Sequence, residues 1–248
     1  MMTVAAITQE DRVQFARDGY FEFDSHIDEK YLDEIIQNTD AEVIARGSSD
    51  RLYDLVYEHN AVKQLALHPH ILEVLEGLYG EPMWGFQTLN FKYGSRQPAH
   101  SDTIHFNTVP AGGMCGVWVA LEDVKIDQGP LVHYPGSHKL PEYTAEDVGE
   151  SPPPKGEIYA AYEDYMAKII RDKELIPKYH VCPKGHAIVW AANLIHGGTA
   201  IMREGSTRYS QVTHYYAYAE DREYYVPLYS KPGDVDRKNP CWISWEQT

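Results

Sequence analysis

Long apolar runs are missing from this chain of 248 residues: nowhere do 18 apolar residues follow one another, so no membrane partner and no membrane-spanning helix are expected. Cysteine is scarce. The three present, Cys115, Cys182 and Cys241, are odd in number, widely spaced and in no C-x-x-C pair. That pattern argues against a disulfide scaffold or a cysteine-built zinc site and suits a reducing compartment, the cytoplasm by default. Positive charge is also in short supply, with 22 Lys+Arg against 37 Asp+Glu and a formal charge of −15. Phosphate binding needs clustered Lys and Arg, so nucleic acid is a poor partner. The opening residues show no basic stretch followed by an apolar one, and no signal peptide is expected. What the chain does have is 12 histidines and 19 tyrosines. Neutral imidazole is the commonest metal ligand.

Two textures divide the sequence. Thr8 precedes an amphipathic run through Phe15, and residues 28–45 place Tyr31, Leu32, Ile35, Ile36, Val43 and Ile44 near helical period. Further helical stretches cover 60–67 and, after the punctuation of His68-Pro69-His70, 71–79, which Gly80 ends. From Pro82 onward short segments rich in aromatic and β-branched residues alternate with Gly/Pro turns, predicting strands at 84–93, 115–121, 131–134, 178–182, 186–190 and 208–219. The expected fold is mainly β (α+β), a barrel or jelly roll buttressed by N-terminal helices. With no internal repeat or linker, one domain over 1–248 is expected. Its helical N-terminal region covers residues 1–81 and its barrel covers 82–223, with a lid-like insertion at 141–177 that holds a helix over 162–173, and a tail over 224–248.

The segment Gln97-Pro-Ala-His100-Ser-Asp102-Thr carries the chemistry. Residues two apart in a strand face one side, so His100 and Asp102 would present an imidazole and a carboxylate to one point. His196, 96 positions downstream and just past the 186–190 strand, is the natural third ligand. Two histidines and one carboxylate form the facial triad that holds iron(II) and leaves positions open for a chelating co-substrate and dioxygen. Arg208, twelve residues further on, opens the last strand with a guanidinium suited to a keto-acid carboxylate. An H-x-D triplet alone marks a solvated strand more often than a metal. The order of the four residues along the chain is what gives it meaning.

That order resembles the phytanoyl-CoA dioxygenase family of iron(II)/2-oxoglutarate-dependent oxygenases over most of residues 10–220. The carriers are Tyr93-Gly94-Ser95-Arg96-Gln97-Pro98-Ala99-His100-Ser101-Asp102, then 116–123, Gly129-Pro130-Leu131, Pro135-Gly136-Ser137-His138, Lys184-Gly185 through Trp190, His196-Gly197-Gly198 and Arg208, with Asp18-Gly19-Tyr20-Phe21 leading into a first strand. The resemblance implies a double-stranded β-helix (a cupin-like jelly roll), with His100, Asp102 and His196 as iron ligands and Arg208 on the distal carboxylate of 2-oxoglutarate. Asn90 and Trp118 match further positions of that pocket. Where family members often have Ser two residues after the second His, this chain has Gly198, so Thr199 is the candidate substitute. The implied activity is hydroxylation of an aliphatic C–H of a small-molecule metabolite with O2, releasing succinate and CO2. Desaturation, cyclisation or epimerisation by the same cofactors is an alternative, as is a non-catalytic binding or sensing module. Asp102 counts against halogenation, since halogenating relatives lack that carboxylate.

Other features have plainer readings. Thr103, His105 and Phe106 follow the H-x-D closely enough to reach a substrate pocket, or serve packing. His214 shares parity with Arg208 and could look into the barrel as a pocket neighbour, although a hydrogen-bonded core histidine is the plainer reading. His133 and His138 flank a turn of mostly structural use, and His68 and His70 read as solvated caps. Lys92 or Arg96 could add to the field of Arg208.

Overall fold

Thr8 caps the first helix, α1 (Gln9–Asp18), by a reciprocal box: its Oγ1 accepts from Asp11 N at 3.2 Å, and Asp11 Oδ2 accepts from Thr8 N at 2.8 Å. Gly19 ends the helix in the left-handed region at φ 80° and turns the chain into β1 (Tyr20–Asp24). This computed structural model describes residues 7–47, 51–148, 157–225 and 241–245. In chain order there follow α2 (Glu29–Arg46), β2 (Leu52–Tyr53), α3 (Asn60–Ala66), α4 (Pro69–Tyr79), β3 (Met83–Phe91), β4 (Asn107–Val109), β5 (Met114–Ala120) and β6 (Leu131–His133). Then come α5 (Ile158–Asp172), β7 (Lys178–His180), β8 (His186–Ala191), β9 (His196–Gly198), β10 (Ser210–Ala217) and β11 (Glu223–Tyr225). Among the described residues no helix is long and apolar enough to cross a membrane.

Six strands form one antiparallel sheet in the order β1-β8-β5-β10-β3-β2, a second sheet runs β7-β6-β9, and β11 pairs with β4. This is the expected jelly roll, a double-stranded β-helix. The central strands are buried on both faces and alternate strictly. On β5, Cys115, Val117 and Val119 pack with the helices, while Trp118 and Ala120 face the barrel interior with Ile188, Trp190, Leu89, Phe91 and Val212. On the helical side, Leu32, Ile35, Val62, Leu65, Ile71 and Leu75 cover the large sheet.

Several boundaries depart from the expectation. The first 81 residues are not helical throughout, because β1 and β2 are the two edges of the large sheet. The insertion helix α5 starts at Ile158 and packs Tyr162, Met166 and Ile169 onto Ile104 and Ile195. Residues 149–156 of the insertion and most of the 224–248 tail lie outside the described residues. β3 carries one extra residue against β10, since His214 pairs with Gln87 and Tyr215 with Gly85, which leaves Phe86 as a bulge.

Candidate active site

His100 and His196 lie opposite one another in an antiparallel bridge, each donating its backbone N–H to the other's carbonyl at 2.9 Å. Asp102 does not continue that strand. Ser101 caps a single 3-10 turn over Asp102–Ile104, and the turn, rather than the alternation of a strand, swings the carboxylate back to the histidines. A polar knot holds the turn. Ser101 Oγ lies 2.6 Å from Thr103 Oγ1 and donates to Ala192 O at 3.1 Å, and Asn193 Nδ2 donates to the carbonyls of His138 and Leu140. From α5, Tyr162 Oη accepts from Ser101 N at 3.3 Å.

The tautomers follow from the backbone. His100 Nδ1 is 2.9 Å from Pro98 O, and His196 Nδ1 is 2.9 Å from Leu194 O. A carbonyl only accepts, so each Nδ1 carries the hydrogen and each Nε2 presents a lone pair. Both Nε2 atoms face one oxygen of Asp102, Oδ1, at 3.5 and 3.7 Å. The other oxygen is held by protein: Oδ2 accepts from Trp190 Nε1 at 2.7 Å and lies 3.6 Å from His214 Nε2. Gly116 makes room for this contact, because a Cβ there would fall inside the Trp190 indole. Burial works to raise the Asp102 carboxyl, but the surrounding imidazoles outweigh it and hold the group well below the ordinary carboxylate range. Burial pushes His196 down to about 4. At neutral pH the cluster is therefore one carboxylate beside a neutral imidazole donor, and the three candidate ligand atoms lie within 4.8 Å of one another.

These residues form a section of the wall of a cavity of about 140 Å³, lined also by Leu89, Phe91, Trp118, Val212 and Arg208. Arg208 is 3% exposed, and its guanidinium lies 5.7 Å from the Trp118 ring centre. Its Nε has no hydrogen-bond partner, and no salt bridge reaches it among the described residues. Burial pushes it down to about 10, still charged at neutral pH. Gly94 (φ 72°) lets the backbone pass against the guanidinium, where any Cβ would collide with it. A buried, unpaired cation facing a cavity is a site for an anion.

The family model for phytanoyl-CoA dioxygenase (PhyH) matches residues 18–209. The chain belongs to this family. A probable phytanoyl-CoA dioxygenase of Caenorhabditis elegans is 30% identical over 153 residues, which cover 56% of this chain and 45% of that protein. The chain spans less than half the length of the curated relatives it matches. Among solved structures, the non-heme alpha ketoglutarate dependent epimerase SnoN from nogalamycin biosynthesis superposes with a TM-score of 0.67 at 21% identity, covering 96% of each chain. EctD from S. alaskensis, solved with 2-oxoglutarate and 5-hydroxyectoine, gives 0.68 at 17% identity over 99% of this chain and 86% of that one. At these identities the likeness establishes the shared fold.

Within this family member the expected pocket residues divide. His100, Asp102, His196, Arg208, Trp118, His105 and Phe106 all line the cavity. Asn90 does not, because Leu89 and Phe91 face inward and parity turns Asn90 to the helical side, where its Nδ2 donates to Gln211 Oε1 at 3.3 Å. Thr103 is spent in the knot with Ser101 and Asn193. Thr199 donates to Pro130 O at 2.7 Å and does not reach the cavity. Ser95 does line the cavity, and its hydroxyl occupies the space a side chain at Gly198 would need. Lys92 is tied to Asp40 at 2.7 Å, and neither it nor Arg96 lines the cavity. His214 is both buried with Nδ1 3.1 Å from Gln87 Oε1, as the core reading expects, and a lining residue beside Asp102. His70 is buried against His26 and Phe23 rather than solvated, and His133 packs on Tyr20 with both ring nitrogens unpartnered.

Trp190, Arg51, Gln87 and Gln97 escape a reading of the sequence. An indole in a β-strand reads as core, and nothing local announces a hydrogen bond to a carboxylate 88 positions away. Gln97 does carry a signal, as an amide inside the segment that bears the family resemblance.

Proposed function

We propose that this protein is an iron(II)- and 2-oxoglutarate-dependent dioxygenase that hydroxylates an aliphatic C–H of a small-molecule metabolite. One observation carries the reading: a cluster of two histidines and one carboxylate shares a single cavity with a buried arginine that has no salt bridge among the described residues. The donor set fits iron(II), with His100 and His196 offering Nε2 lone pairs and Asp102 offering Oδ1. Family membership and the jelly-roll fold support it, and the buried or unpaired cysteines suit a cytoplasmic setting within one domain.

When bound, iron, 2-oxoglutarate and O2 supply a two-electron oxidation of a C–H bond coupled to decarboxylation of 2-oxoglutarate to succinate and CO2. The chain's residues hold and orient. His100, Asp102 and His196 would hold the metal, with Pro98 O and Leu194 O fixing the imidazole tautomers. Arg208 would grip the distal carboxylate of 2-oxoglutarate above Trp118. Leu89, Phe91 and Val212 keep the wall between them apolar and exclude water.

Anaerobic protein with iron(II) and 2-oxoglutarate is expected to show a weak visible charge-transfer band that His100→Ala or Asp102→Ala abolishes. A band untouched by both substitutions sinks the ligand assignment. The fold likeness to a protein described as an epimerase favours one second reading, the same cofactors used without oxygen insertion. Labelled O2 separates them, since only hydroxylation leaves its oxygen in the organic product.

A further inference from the structure

Arg51 is a cavity charge that neither the metal cluster nor the proposed co-substrate site uses. It lines the cavity with Tyr53, Phe91 and Gln97. Its guanidinium carbon lies 5.9 and 5.8 Å from the Tyr53 and Phe91 ring centres. Nη1 donates to Tyr53 Oη at 3.2 Å, and Nη2 donates to Gln97 Oε1. Gln97 is fixed in turn, its Nε2 donating to Tyr159 Oη of α5 at 2.6 Å. The guanidinium is thus positioned by neutral groups alone, and some of its five-donor fork is left over. No carboxylate forms a salt bridge with it among the described residues. Glu163 of α5 lies close enough for its charge to be felt at Arg51, but it does not line the cavity.

Charge balance gives this cation its meaning. Asp102 is the only carboxylate among the described lining residues, against two guanidiniums. In the filled site proposed above, the two positive charges of iron(II) and the one of Arg208 cancel the two negative charges of 2-oxoglutarate and the one of Asp102. Among the charges that line the cavity, Arg51 then leaves one positive charge facing the volume where a substrate must lie, beside the apolar surfaces of Tyr53, Phe91 and Phe106. In a partly water-excluded site an uncompensated charge selects a partner of opposite sign, and a planar fork stacked on aromatic rings matches a planar carboxylate.

We propose that Arg51 binds a carboxylate on the primary substrate, whose apolar body rests on Tyr53, Phe91 and Phe106. This rests on the reading that Arg208 serves 2-oxoglutarate. The experiment measures succinate release with matched pairs of small molecules, each carboxylic acid beside its primary amide, in the iron-loaded wild type and in Arg51→Gln. Acids are expected to stimulate release, with their amides needing roughly tenfold higher concentration. Arg51→Gln is expected to raise KM for the acid about tenfold, erase the preference over the amide and leave KM for 2-oxoglutarate unchanged. A direct arm titrates 4-phenylbutanoate and 4-phenylbutanamide into the anaerobic iron–2-oxoglutarate protein. The acid, and not the amide, is expected to perturb the visible band in wild type, and neither in Arg51→Gln. Equal responses to acid and amide overturn the proposal, as does a rise in KM for 2-oxoglutarate in Arg51→Gln, which would assign the residue to the co-substrate. A wild type that forms no visible band with iron and 2-oxoglutarate instead overturns the underlying reading of the activity.

Discussion

Trp190 shows what a single side chain contributes to the cluster. Its indole N–H holds Asp102 Oδ2 at 2.7 Å, so only Oδ1 is left facing both histidines, and a metal there would meet one carboxylate oxygen rather than two. Trp190→Phe keeps the ring and removes the donor. Weakening of iron(II) or manganese(II) affinity by roughly tenfold is expected, read by metal titration, since residues that orient ligands commonly carry that much. The metal-free variant is expected to keep the wild-type circular dichroism; loss of the fold would make Trp190 a packing residue. Residue types make His100, Asp102, His196 and Arg208 legible in the sequence, because few other combinations serve a metal and an anion together. Asn90 and Thr103 mislead because type says nothing of direction. Parity on β3 turns one outward, and a 3-10 turn ties the other into its own backbone.

At the scale of elements, the strands of the barrel are visible because aromatic and β-branched runs lie between Gly/Pro turns. β4, β9 and β11 are not, and in β9 His196 is followed by two glycines with no side chain to mark a face. The two sheets are joined at an edge by Glu22 of β1, whose Oε1 accepts from Lys178 Nζ at 3.3 Å and lies 3.2 Å from His180 Nδ1, both on β7. The His180 hydrogen bond is the main cause that holds Glu22 at about 2, below its ordinary 4.5. The folded state then binds this proton more weakly than the unfolded chain. The pair's stabilisation is present in full above about pH 4.5 and is lost as pH falls through about 2. Glu22→Gln is accordingly expected to be less stable than wild type at neutral pH and to show a flatter loss of stability across that acid window, measured by urea unfolding at stepped pH. Parallel curves for the two proteins would exclude the linkage.

The whole molecule carries a formal charge of −15 yet buries Arg208 where, among the described residues, no carboxylate forms a salt bridge with it, so the exterior and the cavity obey opposite electrostatic preferences. Composition reports the first and cannot report the second. The same contrast predicts a thermal signature. A ligand at a hundred times its Kd stabilises the native state by about 2.7 kcal/mol. For a chain of this size that is a rise of roughly 5–10 °C in Tm for each of metal and 2-oxoglutarate. Differential scanning fluorimetry is expected to show both increments in wild type and only the metal increment in Arg208→Met. An undiminished 2-oxoglutarate increment in Arg208→Met would remove the arginine from the co-substrate site.

The bridge that sets His100 against His196 brings together positions 96 apart in sequence. A metal held by both closes more than a third of the chain into a ring, and closing a loop of that length costs entropy that an ion already in place has settled. Opening the barrel would first require the ion to leave. The iron-bound form would therefore outlast the stripped form against a protease, and the iron supply of the cell would set how much of the protein survives as well as how fast it turns over.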